Sequence, residues 1–149
     1  MQDALARCGL ATLVPRLHAA EMRWDRVLSA GEQQRLGFAR LLLHRPRCVL
    51  LDEATSALDE ANQAAMMALF DTAPELAGCT LLSVGHRPGL EAWHDRVLVL
   101  ERRGAGGAVL RPVGASPMPS PARPARRART LMQASGPESV HRSTSVAGS

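Results

Sequence analysis

Apolar residues recur with two different periods along the first hundred positions. Leu36, Ala39, Leu42 and Leu43 follow one another at three- and four-residue steps, the signature of one helix face. Just upstream, Ser29-x-x-Glu32 matches a capping box, so a helix is expected to open there and run to about His44. Pro46 forbids its continuation. Residues 2–8 read as a short helix with Gly9 as its C-cap. Residues 11–17 form a second short helical segment interrupted by Pro15, and a polar link over 21–26 contains Trp24. The second period belongs to strands. Residues 48–51 and 80–84 are continuous apolar runs, the pattern of strands buried on both faces. Between them a helix is expected over 59–70, with Ala65, Met66, Leu69 and Phe70 on its apolar side and Gly78 as a break. A short helical segment over 88–93 precedes a third strand over 96–100.

Strand, helix, strand, helix, strand predicts an α/β fold: a parallel sheet with right-handed crossovers and flanking helices. Ligands of such sheets gather beyond the carboxyl ends of the strands. Asp52 and Glu53 end the first strand, and Gly85, His86 and Arg87 follow the second. The pattern therefore collects ionisable groups where this architecture places its chemistry.

Composition divides the chain near residue 104. Residues 1–103 are dense in Leu, Ala and Val, whereas 104–149 are rich in Pro, Gly, Ser, Ala and Arg. The second part holds six arginines against Glu138 alone, more than the whole formal charge of +4. With so little apolar surface to bury, it is expected to be a disordered tail. The basic balance is a property of that tail, so no specific nucleic-acid partner is expected of the folded part. Cys8, Cys48 and Cys79 are odd in number and lack metal-like spacing, and Cys48 and Cys79 read as small core residues. No apolar run approaches the ~20 residues that span a membrane, and no signal peptide is visible.

Each candidate group has a functional and a structural meaning. The helix beginning at Ser29 presents free N–H groups suited to phosphate, Gly31 permits close approach, and Ser29 and Gln33 add side-chain donors. The same segment would equally serve as an ordinary capped helix. Asp52 suits Mg²⁺, and Glu53 suits orientation of an attacking water. An acidic turn leading into the next helix is the structural alternative. His86 can hydrogen-bond a terminal phosphate or make a local contact. Asp59 is a suitable N-cap.

Order and spacing add what the single groups lack. Leu28-Ser29-Ala30-Gly31-Glu32-Gln33-Gln34 resembles the signature motif of ABC-transporter ATPase domains. The run from Cys48 to Glu53 resembles Walker B with its adjoining glutamate, Ser56-Ala57-Leu58-Asp59 the D-loop, and Ser83-Val84-Gly85-His86-Arg87 the switch-histidine segment. Trp24-x-x-Val27, Glu32 within the signature, and Gly85-His86-Arg87 are similar to peroxisomal-type half-transporters and their bacterial relatives.

The resemblance implies a partial P-loop NTPase (RecA-like) sheet. Residues 1–45 would be the end of the helical subdomain with the signature helix, 46–103 the Walker B to switch-histidine core, and 104–149 the tail. It implies ATP and Mg²⁺, with Asp52 serving the metal, Glu53 the lytic water and His86 the γ-phosphate. Ser29, Gly31 and Gln33 would contact ATP across a dimer, Asp59 would lie at the subunit interface, and Glu32 departs from the commonest signature. Implied partners are a second ATPase domain and a transmembrane domain, at the cytoplasmic face of a membrane.

The other half of the machine is missing. All 18 basic residues are arginine, whereas the Walker A loop G-x-x-x-x-G-K-[ST] requires lysine. The Q-loop and the aromatic adenine-stacking strand are absent too. Losing about four charge-assisted contacts at about 1.5 kcal/mol each removes ~6 kcal/mol, roughly four decades of ATP affinity. The chain alone is therefore expected to be inactive, and loss of the Walker A strand to leave a long apolar sheet edge. Three roles remain open: a fragment of a transporter ATPase subunit, a stand-alone module lending its signature face to a Walker A-bearing partner, and, behind these, an arginine-tailed nucleic-acid binder.

Overall fold

A computed structural model describes residues 1–17, 23–103, 107–113 and 128–134. Helix α1 (Gln2–Arg7) and a 3-10 turn (Ala11–Arg16) come first, with Gly9 at φ 68° between them. That left-handed conformation is the one glycine adopts without penalty, as expected of the residue ending α1. A single turn, α2 (Trp24–Val27), leads into α3 (Ala30–His44). Both halves of the capping box form at Ser29 and Glu32. The helix ends at Arg45 in the left-handed conformation, one residue before Pro46.

Helix α3 buries Phe38, Ala39 and Leu42. Leu43, expected on this face, is 48% exposed and Leu36 only partly covered. Helix α4 (Glu60–Thr72) is capped by Asp59 and buries Gln63, Met66, Met67, Leu69 and Phe70. Ala65, expected on its apolar side, is exposed. The two helices meet where Phe38 and Phe70 pack edge to face, with ring centroids 6.3 Å apart.

Among the described residues the sheet has five strands: β1 (Cys48–Asp52), β2 (Thr80–Val84), β3 (Arg96–Arg103), β4 (Gly107–Pro112) and β5 (Arg129–Ala134). Their spatial order is β1-β2-β5-β3-β4. The pairs β1–β2, β2–β5 and β5–β3 are parallel, and β3–β4 is antiparallel. The α/β architecture read from the sequence is present. Two expectations need correction. First, β1 is an edge strand buried on one face only, with Leu50 65% exposed and Cys48 exposed. Second, residues 107–112 and 129–134, placed in a disordered tail, are strands; the remainder of that tail lies outside the described residues. Strand β5 stands between β2 and β3 and buries Leu131 completely.

Arg129 explains how so basic a segment enters a sheet. Its guanidinium lies 2.9 Å from Asp71 Oδ1, donates to the Phe70 carbonyl at 2.6 Å, and sits over the Phe70 ring. Its backbone N–H donates to Asp95 Oδ2 at 3.0 Å. A buried charge is tolerated when it is paired and hydrogen-bonded in this way.

Candidate functional site

The parallel strands β1 and β2 end side by side, with Asp52 in register with Val84. Glu53 leaves β1 with φ 48°, yet its N–H still donates to the Val84 carbonyl at 3.0 Å. Its carboxylate is therefore carried toward the end of β2. There His86 Nδ1 lies 3.0 Å from Glu53 Oε1, in a solvent-exposed pair. Two groups 33 residues apart in sequence meet because adjacent parallel strands deliver both to one edge. Asp52 is exposed, and among the described residues its carboxylate takes part in no ion pair.

A second surface lies at the start of α3. The Ser29 hydroxyl donates to Glu32 Oε2 at 2.7 Å, and the Ser29 N–H to the same oxygen at 2.9 Å. The Glu32 N–H returns a bond to Ser29 Oγ. These bonds, the hydroxyl's first, hold the Glu32 carboxyl below its usual range. The departure at Glu32 thus acquires a structural meaning: it completes the cap. The side chain of Gln33 donates back to the Leu28 carbonyl at 2.9 Å. A Cβ at Gly31 would come within 3.2 Å of the Ala57 carbonyl oxygen, so the first turn of α3 rests against the loop after β1.

That loop, residues 53–58, joins the two surfaces. Arg87 donates to the carbonyls of Thr55, at 2.6 Å, and Leu58. Buried Thr55 donates to Gln63 Oε1, and Gln63 Nε2 donates to the Pro88 carbonyl. Asp59 accepts from the Asn62 N–H at 2.7 Å, which pulls its carboxyl below the usual range. Asp59 is accordingly the N-cap that its spacing suggested.

Of the predicted residues, the structure brings together Glu53 with His86 and Ser29 with Glu32. Asp52 adjoins the first pair in sequence, Gly31 and Asp59 flank the loop at residues 53–58, and Gln33 turns back to the Leu28 carbonyl. Sequence reasoning gave no role of its own to Gln34, whose amide bridges α3 and the loop, or to the buried His94. His94 Nδ1 donates to the Leu90 carbonyl at 2.7 Å and Nε2 accepts from the Ser83 hydroxyl at 2.8 Å. Its place in a polar stretch before β3 gave no signal of burial.

Fold and site geometry define a class: the partial P-loop NTPase sheet, with acidic and histidine groups at adjacent strand ends. Comparison with known proteins narrows it. Residues 1–56 match the family model for ABC transporters. An uncharacterized ABC transporter ATP-binding protein of Haemophilus influenzae is 48% identical over 84 residues, covering 56% of this chain and 14% of the relative. The chloroplastic ABC transporter D family member 2 of Arabidopsis thaliana is 53% identical over 75 residues, 50% of this chain and 10% of the relative. The lysosomal cobalamin transporter ABCD4 of Mus musculus is 42% identical over 105 residues, 68% of this chain and 17% of the relative. The chain is similar to ABC-transporter ATP-binding proteins, a D-family member and a bacterial protein among them, and spans a small part of their length. Among the described residues no helix is long and apolar enough to cross a membrane.

Proposed function

We propose that this chain supplies the signature, Walker B, D-loop and switch-histidine elements of an ABC-type ATPase that drives transmembrane transport. The observation that carries this reading is the Glu53–His86 pair, 3.0 Å apart at the ends of adjacent parallel strands. Glu53 orients the water that attacks the terminal phosphate, and its carboxylate accepts a proton as that water adds. His86 gives its Nδ1 proton to the carboxylate contact and presents Nε2 outward. A γ-phosphate oxygen at Nε2 needs a donor there.

The residues present fit Mg²⁺. Bound magnesium is held by one or two carboxylates together with substrate phosphates, and the exposed Asp52 offers one such carboxylate. The metal would neutralise charge on the phosphates. Ser29, Gly31 and Gln33 would face the nucleotide of a second ATPase domain. The Ser29 hydroxyl must then exchange Glu32 for a phosphate oxygen. Asp59 would lie near the domain interface, and a transmembrane domain would anchor the assembly with this chain at its cytoplasmic face.

The test begins with the DNA upstream of the Met1 codon. A frame continuing into a glycine-rich, lysine-bearing loop and apolar spans gives the full transporter. In that protein MgATP turnover should fall at least about 100-fold in Glu53→Gln, as expected when a general base is lost. Turnover unaffected by the change would sink the assignment. One observation favours the second reading, a stand-alone module acting in trans: β5 completes the sheet from within the chain. Under that reading the chain alone shows no turnover, and a Walker A-bearing partner restores it.

A further inference from the structure

We propose that Gln34 is a positioning residue that locks Glu53 in its left-handed turn and so couples the start of α3 to the strand-end pair. This rests on the Glu53–His86 reading given above. Glu53 at φ 48° is in a region that residues other than glycine seldom occupy. Such a conformation persists only where its surroundings over-determine it. Here the Glu53 N–H is held by the Val84 carbonyl, and its carbonyl accepts from the Ser56 N–H at 3.0 Å. Gln34 supplies the side-chain part of the lock. Its Nε2 donates to the Glu53 carbonyl at 3.2 Å and to Ser56 Oγ at 2.9 Å. Its Oε1 accepts from the Ala57 N–H at 2.9 Å. One amide thus clamps three consecutive parts of the loop, at residues 53, 56 and 57.

The backbone torsion at Glu53 sets the direction of its Cα–Cβ bond. A return to negative φ would swing the carboxylate away from His86. Gln34 therefore acts on the Glu53–His86 contact without touching either reacting group. It lies one residue beyond Gln33 on the helix that Ser29 caps. Gly31 rests on the same loop from the preceding turn, and Arg87 holds the loop's far end at Thr55 and Leu58. A displacement of the first turn of α3, such as a ligand at Ser29 would cause, reaches Glu53 through this amide. A chain of direct hydrogen bonds joins the two places.

The test is ¹⁵N NMR of the histidine rings in the full chain. Glu53→Ala defines the movement of the His86 ring resonances when the contact is lost. Gln34→Leu should reproduce more than half of that movement while leaving the buried His94 ring in place. Gln34→Glu keeps an acceptor for the Ala57 N–H but sets a carboxylate oxygen against the Glu53 carbonyl in place of the donor, so it should move His86 as well. His86 resonances unmoved in both Gln34 variants, against a clear Glu53→Ala shift, would overturn the positioning role and leave the pair standing. Movement of His94 together with His86 would show general loosening and overturn it too. No shift in Glu53→Ala would remove the pair itself, and both readings with it.

Discussion

At the scale of single residues, two hydrogen-bonded groups make the clearest commitments. Burial holds the His94 imidazole below its ordinary value of 6.5, despite the opposing bond to the Leu90 carbonyl. The folded state therefore binds fewer protons than the unfolded state at pH values just below 6.5. Stability contributed by neutral His94 is complete above that pH and is lost as pH falls toward the folded-state value. The slope cannot exceed about 1.4 kcal/mol per pH unit for one group. Melting temperatures taken across pH 7.5 to 5 should drop below pH 6.5, and His94→Asn should flatten that drop. At Ser29, the cap satisfies donors that the first turn of α3 cannot satisfy itself. Ser29→Ala should cost about 1 kcal/mol in urea denaturation, and an unchanged midpoint would show the capping box to be idle. Cysteine chemistry separates in the same way. Cys8 is fully buried, with its thiol pushed up to about 11, and Cys79 is buried, whereas Cys48 is exposed. Alkylation of the native chain at pH 8 should mark Cys48 alone, and denaturant should expose the other two.

The element that carries most consequence is β5. Its arginine pairs with Asp71 on α4, so the strand is tied to the helix layer as well as to β2 and β3. Removing one partner of a buried pair leaves the other uncompensated, so Arg129→Met should cost about 3 kcal/mol. The double variant with Asp71→Asn should recover part of that loss. Additive losses in the cycle would mean that the pair is not formed. This strand also shows where the sequence stops being legible. Helices α3 and α4 were readable because their caps and periodicity agree, and β1 to β3 because their runs are apolar and bounded by breakers. Residues 129–134 hold only Leu131 and Met132 as large apolar groups, next to an arginine-rich stretch. Nothing local announces that Arg129 has Asp71, Asp95 and the Phe70 carbonyl waiting for it from distant positions. The candidate site divides likewise. Glu53, His86, Ser29 and Glu32 stand in a recognisable order, while the role of Gln34 depends on a backbone torsion at Glu53 that no residue type reveals.

At the scale of the whole molecule, sheet order decides how the chain meets its surroundings. An inner gap between β2 and β3 would have left two apolar strands unpaired, and β5 removes that hazard. The outer edges remain. Strand β1 presents Leu50 at 65% exposure, with exposed Leu43 at the end of the preceding helix. It is short, but it carries no lysine, proline or bulge of the kind that blunts an edge. On the far side, β4 is exposed along its whole length, with Val109 and Leu110 among its residues. Arg111 lies on that strand and pairs with Glu101 at 3.0 Å, whereas the charge of β1 sits at its last residue, Asp52. Self-association should therefore run through β1. Size-exclusion chromatography with light scattering should show the wild-type chain forming dimers and larger species at tens of micromolar. Leu50→Lys, which puts a charge on the outward face without touching Val49 or Leu51, should shift it toward monomer. A wild-type chain that is monomeric under the same conditions would mean that the β1 edge is adequately protected. Equal association of the lysine variant would instead move the sticky surface to β4.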